Sequence, residues 1–223
     1  MRANEIAYMK QYCERFTAVS VRERNAADIL KQHLSKKVET VLDPTLLLDR
    51  QDWESIIGER IINKKYVFVY FLGKTEPYKK AVTEFSAERN YEVVYIPYMS
   101  SEKEKDYIHE WHDFREAGPI EFLNLIRNAE YVVTDSFHGT VFSILFEKNF
   151  AALKRFKKNE KNSMNSRLDT LLKMTGLQER LLDWGDLDFS VIDREVDYRE
   201  VEDKIKKERE HSFTFLKNCL NGD

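Results

Sequence analysis

The chain has 223 residues, of which 42% are hydrophobic and 34% charged, and its formal net charge is −3. A chain of this length can bury a sizeable core, and the composition is that of a globular protein rather than a disordered one. The charge offers no field for nucleic acid. No run of about 18 apolar residues is present to span a membrane, and the two cysteines, Cys13 and Cys219, make no disulfide framework, which favours a reducing compartment.

The opening segment, MRANEIAYMKQYCERF, lacks the apolar stretch of a signal peptide. It reads as a helix over residues 5–15, entered as though partway through a larger architecture. FTAVSV is a short strand, and RERNAADILKQHL is a helix with Ala26, Ile29, Leu30 and His33 or Leu34 at helical spacing. KVETVLDPTLLL gives a short strand and a turn at Asp43-Pro44. QDWESIIGER resumes as a helix, with Asp49 as N-cap and Asp52 three residues on. YVFVYFLG is a continuous β-branched and aromatic run closed by Gly73, as expected of a strand buried on both faces. There follow a helix (EPYKKAVTEFSAERN), a strand (YEVVYIPYM), a helix with Pro119 in its first turn (GPIEFLNLIRNA), a strand (YVVTDS), a helix (FHGTVFSILFEKN) and a strand (FAALKR). Residues 154–165 carry five basic side chains, Lys154, Arg155, Lys157, Lys158 and Lys161. They read as a mobile lid or as a solvated connection. A charged helix over 197–220 has sparse apolar positions at Val201, Ile205, Phe213 and Leu216. The expected organisation is one α/β domain over 1–196 and a C-terminal helix over 197–223.

Alternation of strands and helices between residues 66 and 155 implies right-handed βαβ units and a parallel sheet with helices on both faces. Ligands of such sheets sit outside the carboxyl ends of the strands, so Gly73, residues 97–100 including Ser100, and residues 134–139 should line one edge. The informative run is Thr134-Asp135-Ser136-Phe137-His138-Gly139-Thr140, at a strand end that opens a helix. First-turn helix amides suit an anion, so the amides of His138, Gly139 and Thr140 are expected to hold one. Gly139 would admit a ligand close to the backbone, and Ser136 or Asp135 would cap the helix. An imidazole at His138 would project into the cleft, where it can donate to an anion or transfer a proton; a capping or core histidine is the plainer reading. His109 and His112, with Asp113, could form a metal site on one helical face, but no further ligand for it is evident, and solvated charges on a helix are the simpler account. No P-loop, GxGxxG, CxxC pair or HExxH occurs, and no metal is expected.

The run YVVTDSFHGTVFSILFEKNF resembles the signature of the polysaccharide pyruvyl transferase family. AVSVRERNAADIL, VLDPTLLLDRQDW and NSRLDTLLKMTGLQERL agree with it in order and spacing, so the resemblance runs from Thr17 to Leu182. It implies an architecture similar to two-domain enzymes with facing Rossmann-like halves, this chain being like the C-terminal domain of a GT-B-type enzyme. The glycine- and asparagine-rich turn usual in the family's amino-terminal half is absent, so that half is expected to be missing. The resemblance also places Arg22, in SVRE, at the donor, where a guanidinium matches carboxylate or phosphate in bidentate fashion; on residue type alone it is a surface arginine beside Glu23. Asp43-Pro44-Thr45 matches a family hallmark and reads as a structural turn. Arg167 is a second matching basic residue, in reach of the cleft or paired with Asp169 or Asp135.

The activity implied is transfer of pyruvate from phosphoenolpyruvate to a pair of sugar hydroxyls, forming a cyclic ketal. His138 would act as acid and Arg22 as the anion's partner, with Gly73, Ser100, Asp135, Ser136, Gly139, Thr140 and Arg167 around the substrate. Phosphoenolpyruvate is the donor substrate, no cofactor is needed, and the acceptor is a saccharide or a lipid-linked saccharide. The family also implies surface-polysaccharide assembly (capsule or exopolysaccharide) in the cytoplasm, near the inner face of the membrane. Two other functions fit the pattern. One is a glycosyltransferase domain holding a nucleotide sugar, with Glu147 on the ribose; the other is a non-catalytic binding module.

Overall fold

The computed structural model describes residues 3–73, 76–97, 111–155, 165–183 and 187–221. In chain order the elements are α1 (Ala3–Cys13), β1 (Val19–Val21), α2 (Arg24–Lys31), β2 (Val38–Thr40), α3 (Arg50–Glu54), β3 (Tyr66–Tyr70), α4 (Glu76–Glu88), β4 (Glu92–Tyr95), β5 (His112–Asp113), α5 (Pro119–Asn128), β6 (Tyr131–Thr134), α6 (Phe137–Leu145), β7 (Asn149–Leu153), α7 (Asn165–Thr175), β8 (Leu181–Leu182) and α8 (Tyr198–Asn221). Short 3-10 turns lie at Pro44–Leu46, Gln178–Arg180 and Phe189–Asp193.

The chain divides into two compact units, one of Met1–Leu48 with Arg199–Asp223 and one of Asp49–Tyr198. This differs from a domain over 1–196 followed by a separate helix. The reason lies in the strands: β1 and β2 pair in parallel with each other and take no place in the larger sheet. Their small core is Val19, Ala27, Leu34 and Val38. The closing helix belongs to the same unit through specific bonds. The Leu42 amide donates to Ser212 Oγ at 3.0 Å, and Arg209 Nε donates to the Leu46 carbonyl at 2.8 Å.

The second unit holds a six-stranded sheet in the order β5-β4-β3-β6-β7-β8, every pair parallel. The apolar run at β3 is buried on both faces, and the two-residue period of a strand sorts its side chains. Val67 and Val69 share a core with Tyr78, Val82 and Phe85 of α4 and with Val191 and Ile192. Phe68 and Tyr70 point to the other face, their rings 6.1 and 5.0 Å from Phe122 of α5, which in turn lies 6.2 Å from Phe142 of α6. Helices therefore cover both faces, as alternation implied. From β3 the chain winds outward through β4 and β5 on one side, and from β6 through β7 and β8 on the other. The switch point of the topology, where open α/β sheets form a crevice, falls between the carboxyl ends of β3 and β6.

Two elements depart from the sequence reading. The helix expected over QDWESIIGER ends at Glu54, although its capping box is as expected: Asp49 accepts from the Asp52 amide and Asp52 from the Asp49 amide. Turns follow, and Gly58 takes a left-handed φ of 73°, which a continuing helix cannot. His112 and Asp113 form the edge strand β5 and share no helical face, and Asp113 is occupied by the amide and guanidinium of Arg115. His109 lies outside the described residues. Arg180 is fully buried with its guanidinium donating to the carbonyls of Phe150, Ile192 and Arg194, and burial lowers its pKa. It clamps the last strands to the turn at Phe189–Asp193.

Candidate functional site

Three strand ends supply the site: Leu72 and Gly73 after β3, Asp135 to His138 after β6, and Arg155 after β7. Together with the first turn of α7 they enclose a cavity of about 160 Å³, lined among others by His138, Arg155, Asn165 and Arg167. His138 is exposed, at the second position of α6, so it is neither a core nor a capping histidine. Its neighbour Phe137 sets a ring edge-on to it, with centroids 5.4 Å apart.

The turn that presents His138 is built almost wholly from internal hydrogen bonds. Ser136 is the N-cap, its Oγ accepting from the Gly139 amide at 3.3 Å. Its carbonyl accepts from both the amide and the hydroxyl of Thr140, each at 3.0 Å. Thr134 Oγ1 donates to the Tyr70 carbonyl at 2.6 Å and accepts from the Ser136 amide at 3.0 Å, joining the ends of β3 and β6. Consequently two of the three amides expected to hold an anion, those of Gly139 and Thr140, are taken within the fold. Thr140 itself is fully buried. Gly139 has a different reason to be glycine: a Cβ there would lie 2.5 Å from Thr134 Oγ1. The close approach is to the protein's own threonine.

Asp135 likewise spends its carboxylate inside. It is buried, accepting from the Leu72 amide at 2.6 Å and the Gly73 amide at 2.9 Å, and Arg155 Nε lies 3.3 Å away. Burial pushes its pKa up, while the two amides and the guanidinium pull it back. Of the two candidate caps, Ser136 starts α6, while Asp135 ties β3 to β6. Arg167 sits in the first turn of α7 and lines the cavity with His138. Ser100 and most of residues 154–165 lie outside the described residues.

Arg22 belongs to the first unit, following β1. It pairs with the buried carboxylate of Asp43, which also accepts from Thr45 Oγ1 at 2.6 Å and the Thr45 amide at 3.1 Å. Asp43-Pro44-Thr45 is thus a turn, as expected, and one that also braces Arg22. Glu147, proposed for a ribose, lies beyond the carboxyl end of α6, at the amino ends of the strands, opposite the cavity. There it pairs with Arg50 at 2.6 Å. Among the described residues no group of three or more His, Cys, Asp or Glu converges as a metal site.

Arg155 and Asn165 escape the sequence reading. Both fall at the ends of a basic, polar stretch that reads as a mobile lid or a solvated connection, and only the strand-end rule, applied to β7, places Arg155 at the sheet edge.

Comparison with known proteins places these features in context. The family model for polysaccharide pyruvyl transferase matches residues 2–155. No curated protein matches the sequence. Among solved structures, the UDP-GlcNAc 2-epimerase of Methanocaldococcus jannaschii in complex with UDP-GlcNAc and UDP is 14% identical with a TM-score of 0.47, covering 86% of this chain and 55% of that one. The UDP-GlcNAc 2-epimerase of Neisseria meningitidis bound to UDP-GlcNAc is 11% identical with a TM-score of 0.44, covering 91% and 61%. The glycotransferase of kitacinnamycin is 12% identical with a TM-score of 0.45, covering 70% and 42%. The chain spans about half the length of the M. jannaschii structure.

Proposed function

The chain belongs to the polysaccharide pyruvyl transferase family, and on that footing we propose that its second unit binds phosphoenolpyruvate and serves its transfer to a saccharide. The observation that carries this reading is the exposed His138 on the same cavity as the guanidinium groups of Arg155 and Arg167. The reaction asks for those chemical types. Phosphoenolpyruvate is a small anion with a phosphate and a carboxylate, which guanidinium groups match. An acid must protonate its methylene carbon, leaving an oxocarbenium-like centre at the adjacent carbon. His138 is the acid in this reading. One sugar hydroxyl then adds, its proton passing to His138 and restoring the acid. The bond from carbon to phosphate oxygen breaks, and phosphate leaves. The second hydroxyl closes the cyclic ketal, its proton ending on the phosphate. No cofactor enters this scheme.

The acceptor in this reading is a saccharide or a lipid-linked saccharide, in the assembly of a capsule or exopolysaccharide. The work would be done in the cytoplasm, at the inner face of the membrane. No helix among the described residues is long and apolar enough to cross that membrane. Arg22 is proposed as an anion-binding residue of the first unit, with Asp43 as its brace. The test is isothermal titration of the protein with phosphoenolpyruvate and, separately, with a panel of nucleotide sugars. Binding of phosphoenolpyruvate alone supports pyruvyl transfer. Binding of a nucleotide sugar alone supports the glycosyltransferase reading, and binding of neither supports a non-catalytic module.

A further inference from the structure

The ion pair of Asp135 and Arg155 stands at the switch point of the sheet. The aspartate side chain is 1% exposed and the arginine side chain 21%. Besides the contact from Nε to the carboxylate, the Arg155 NH2 group donates to the Asp135 carbonyl at 3.1 Å. The same carboxylate holds the amides of Leu72 and Gly73. One buried group therefore fixes the turn after β3, the entry to α6 and the guanidinium after β7. Gly73 makes room for the pair: a Cβ there would lie 2.9 Å from Asp135 Oδ2 and 3.0 Å from Arg155 Cγ.

Such an arrangement has a physical purpose at a binding site. An arginine on a loose strand end loses rotamer freedom when it meets a ligand, which weakens binding. One already locked against a buried carboxylate has lost that freedom in folding, so its planar fork meets an anion at little further entropic cost. Arg155 lines the cavity beside His138 and Arg167. At about 160 Å³ the cavity is also small, below the roughly 300–1,000 Å³ usual for drug-sized ligands. A phosphate group fits within that volume.

We propose that Arg155 grips the phosphate of a small phosphorylated acid in this cavity, and that Asp135 is the residue that positions it. The identity of the acid as phosphoenolpyruvate rests on the pyruvyl-transfer reading; the grip on phosphate does not.

The experiment is calorimetric titration of the whole chain with inorganic phosphate and with phosphoenolpyruvate, for wild type, Arg155→Gln, Arg155→Lys, Asp135→Asn and the Asp135→Asn/Arg155→Gln double variant. Arg155→Gln should weaken both ligands about 10- to 100-fold, the range for a charged hydrogen bond. Arg155→Lys should recover part of the loss, keeping charge without the fork. Asp135→Asn should weaken both ligands as well, and the double variant should be no worse than Arg155→Gln alone, because residues acting as a unit are not additive. Far-UV circular dichroism identifies variants that have lost the fold. Should Arg155→Gln be among them, Arg155→Lys decides: its phosphate affinity must fall with the spectrum unchanged. Wild-type affinity for phosphate in the folded Arg155 variants, or additive losses from the two sites, overturns the proposal. So does failure of wild type to bind phosphate at all. If wild type binds phosphate but not phosphoenolpyruvate, the pyruvyl-transfer reading falls, while the phosphate series still decides on Arg155.

Discussion

Replacing Gly139 with alanine should destabilise the second unit, and three distances set the size of the effect. The new Cβ would lie 2.5 Å from Thr134 Oγ1 and 3.1 Å from both Cβ and Cγ2 of the same threonine. Thr134 has nowhere to go. It is fully buried, and its hydroxyl is held by the Tyr70 carbonyl and the Ser136 amide. Overpacking a tight site costs about 1–3 kcal/mol, and displacing one of the threonine's hydrogen bonds adds about 1 kcal/mol. The better helix propensity of alanine returns up to about 1 kcal/mol. The net loss is about 1–3 kcal/mol. Trp53 and Trp111 fall within the second unit, so their fluorescence reports its unfolding. With a urea slope of about 2 kcal/mol per molar, the midpoint should drop by about 1 M. A variant that unfolds at the wild-type midpoint would refute the packing argument, and the glycine would then have to be explained by ligand approach.

If His138 is the acid of the proposed pyruvyl transfer, His138→Asn should cut turnover of phosphoenolpyruvate by about 10²- to 10⁴-fold while calorimetric donor binding falls much less; near-normal turnover would make His138 a binding residue only. Arg22→Lys keeps the charge but loses the planar fork, so calorimetry should show weaker binding of the anion proposed for the first unit, by about 1–3 kcal/mol, and an unchanged affinity would remove Arg22 as an anion-binding residue. Burial first, then the neighbouring Arg127, lowers Lys148 from 10.5 to about 8, with Glu130 opposing. Between about pH 8 and 10.5 the unfolded chain holds a proton that the folded chain has shed, so stability rises with pH through that window. Urea titrations should therefore show wild type gaining on Lys148→Met from pH 8 to 10, and parallel profiles would contradict the shift.

Much of the second unit was legible because its strands are long apolar runs. YVFVYFLG and YVVTDS can be buried on both faces and nowhere else, and the strand ends they define locate the edge where Asp135 and His138 stand. What local pattern cannot carry is pairing. Nothing in the sequence says that β3 lies beside β6, so the switch point appears only with the register. Arg155 stayed hidden for the same reason: its partner lies 20 residues earlier, and its neighbours in sequence are basic and polar. A two-residue strand such as β5 has no periodicity to read, so His112 and Asp113 resembled part of a helix. A requirement for glycine does not reveal which atom crowds it, and at Gly139 the crowding by Thr134 Oγ1 appears only in the fold. Asp43 shows the opposite case, where the motif was plain and its contact with Arg22, 21 residues away, was not.

The first unit is assembled from two stretches separated by the about 150 residues of the second. During synthesis, the second unit emerges whole before the closing helix exists. At about 5–20 residues per second, the opening 48 residues wait roughly 10–30 s for Ser212 and Arg209 to arrive. Closing so long a loop costs about 2 kcal/mol more than closing one a tenth as long. Meanwhile Tyr8, Tyr12 and Phe16, exposed even in the folded chain, have only β1, β2 and their two helices to shelter with. The order of synthesis therefore leaves the small core of Val19, Ala27, Leu34 and Val38 without its closing helix until the second unit has been made.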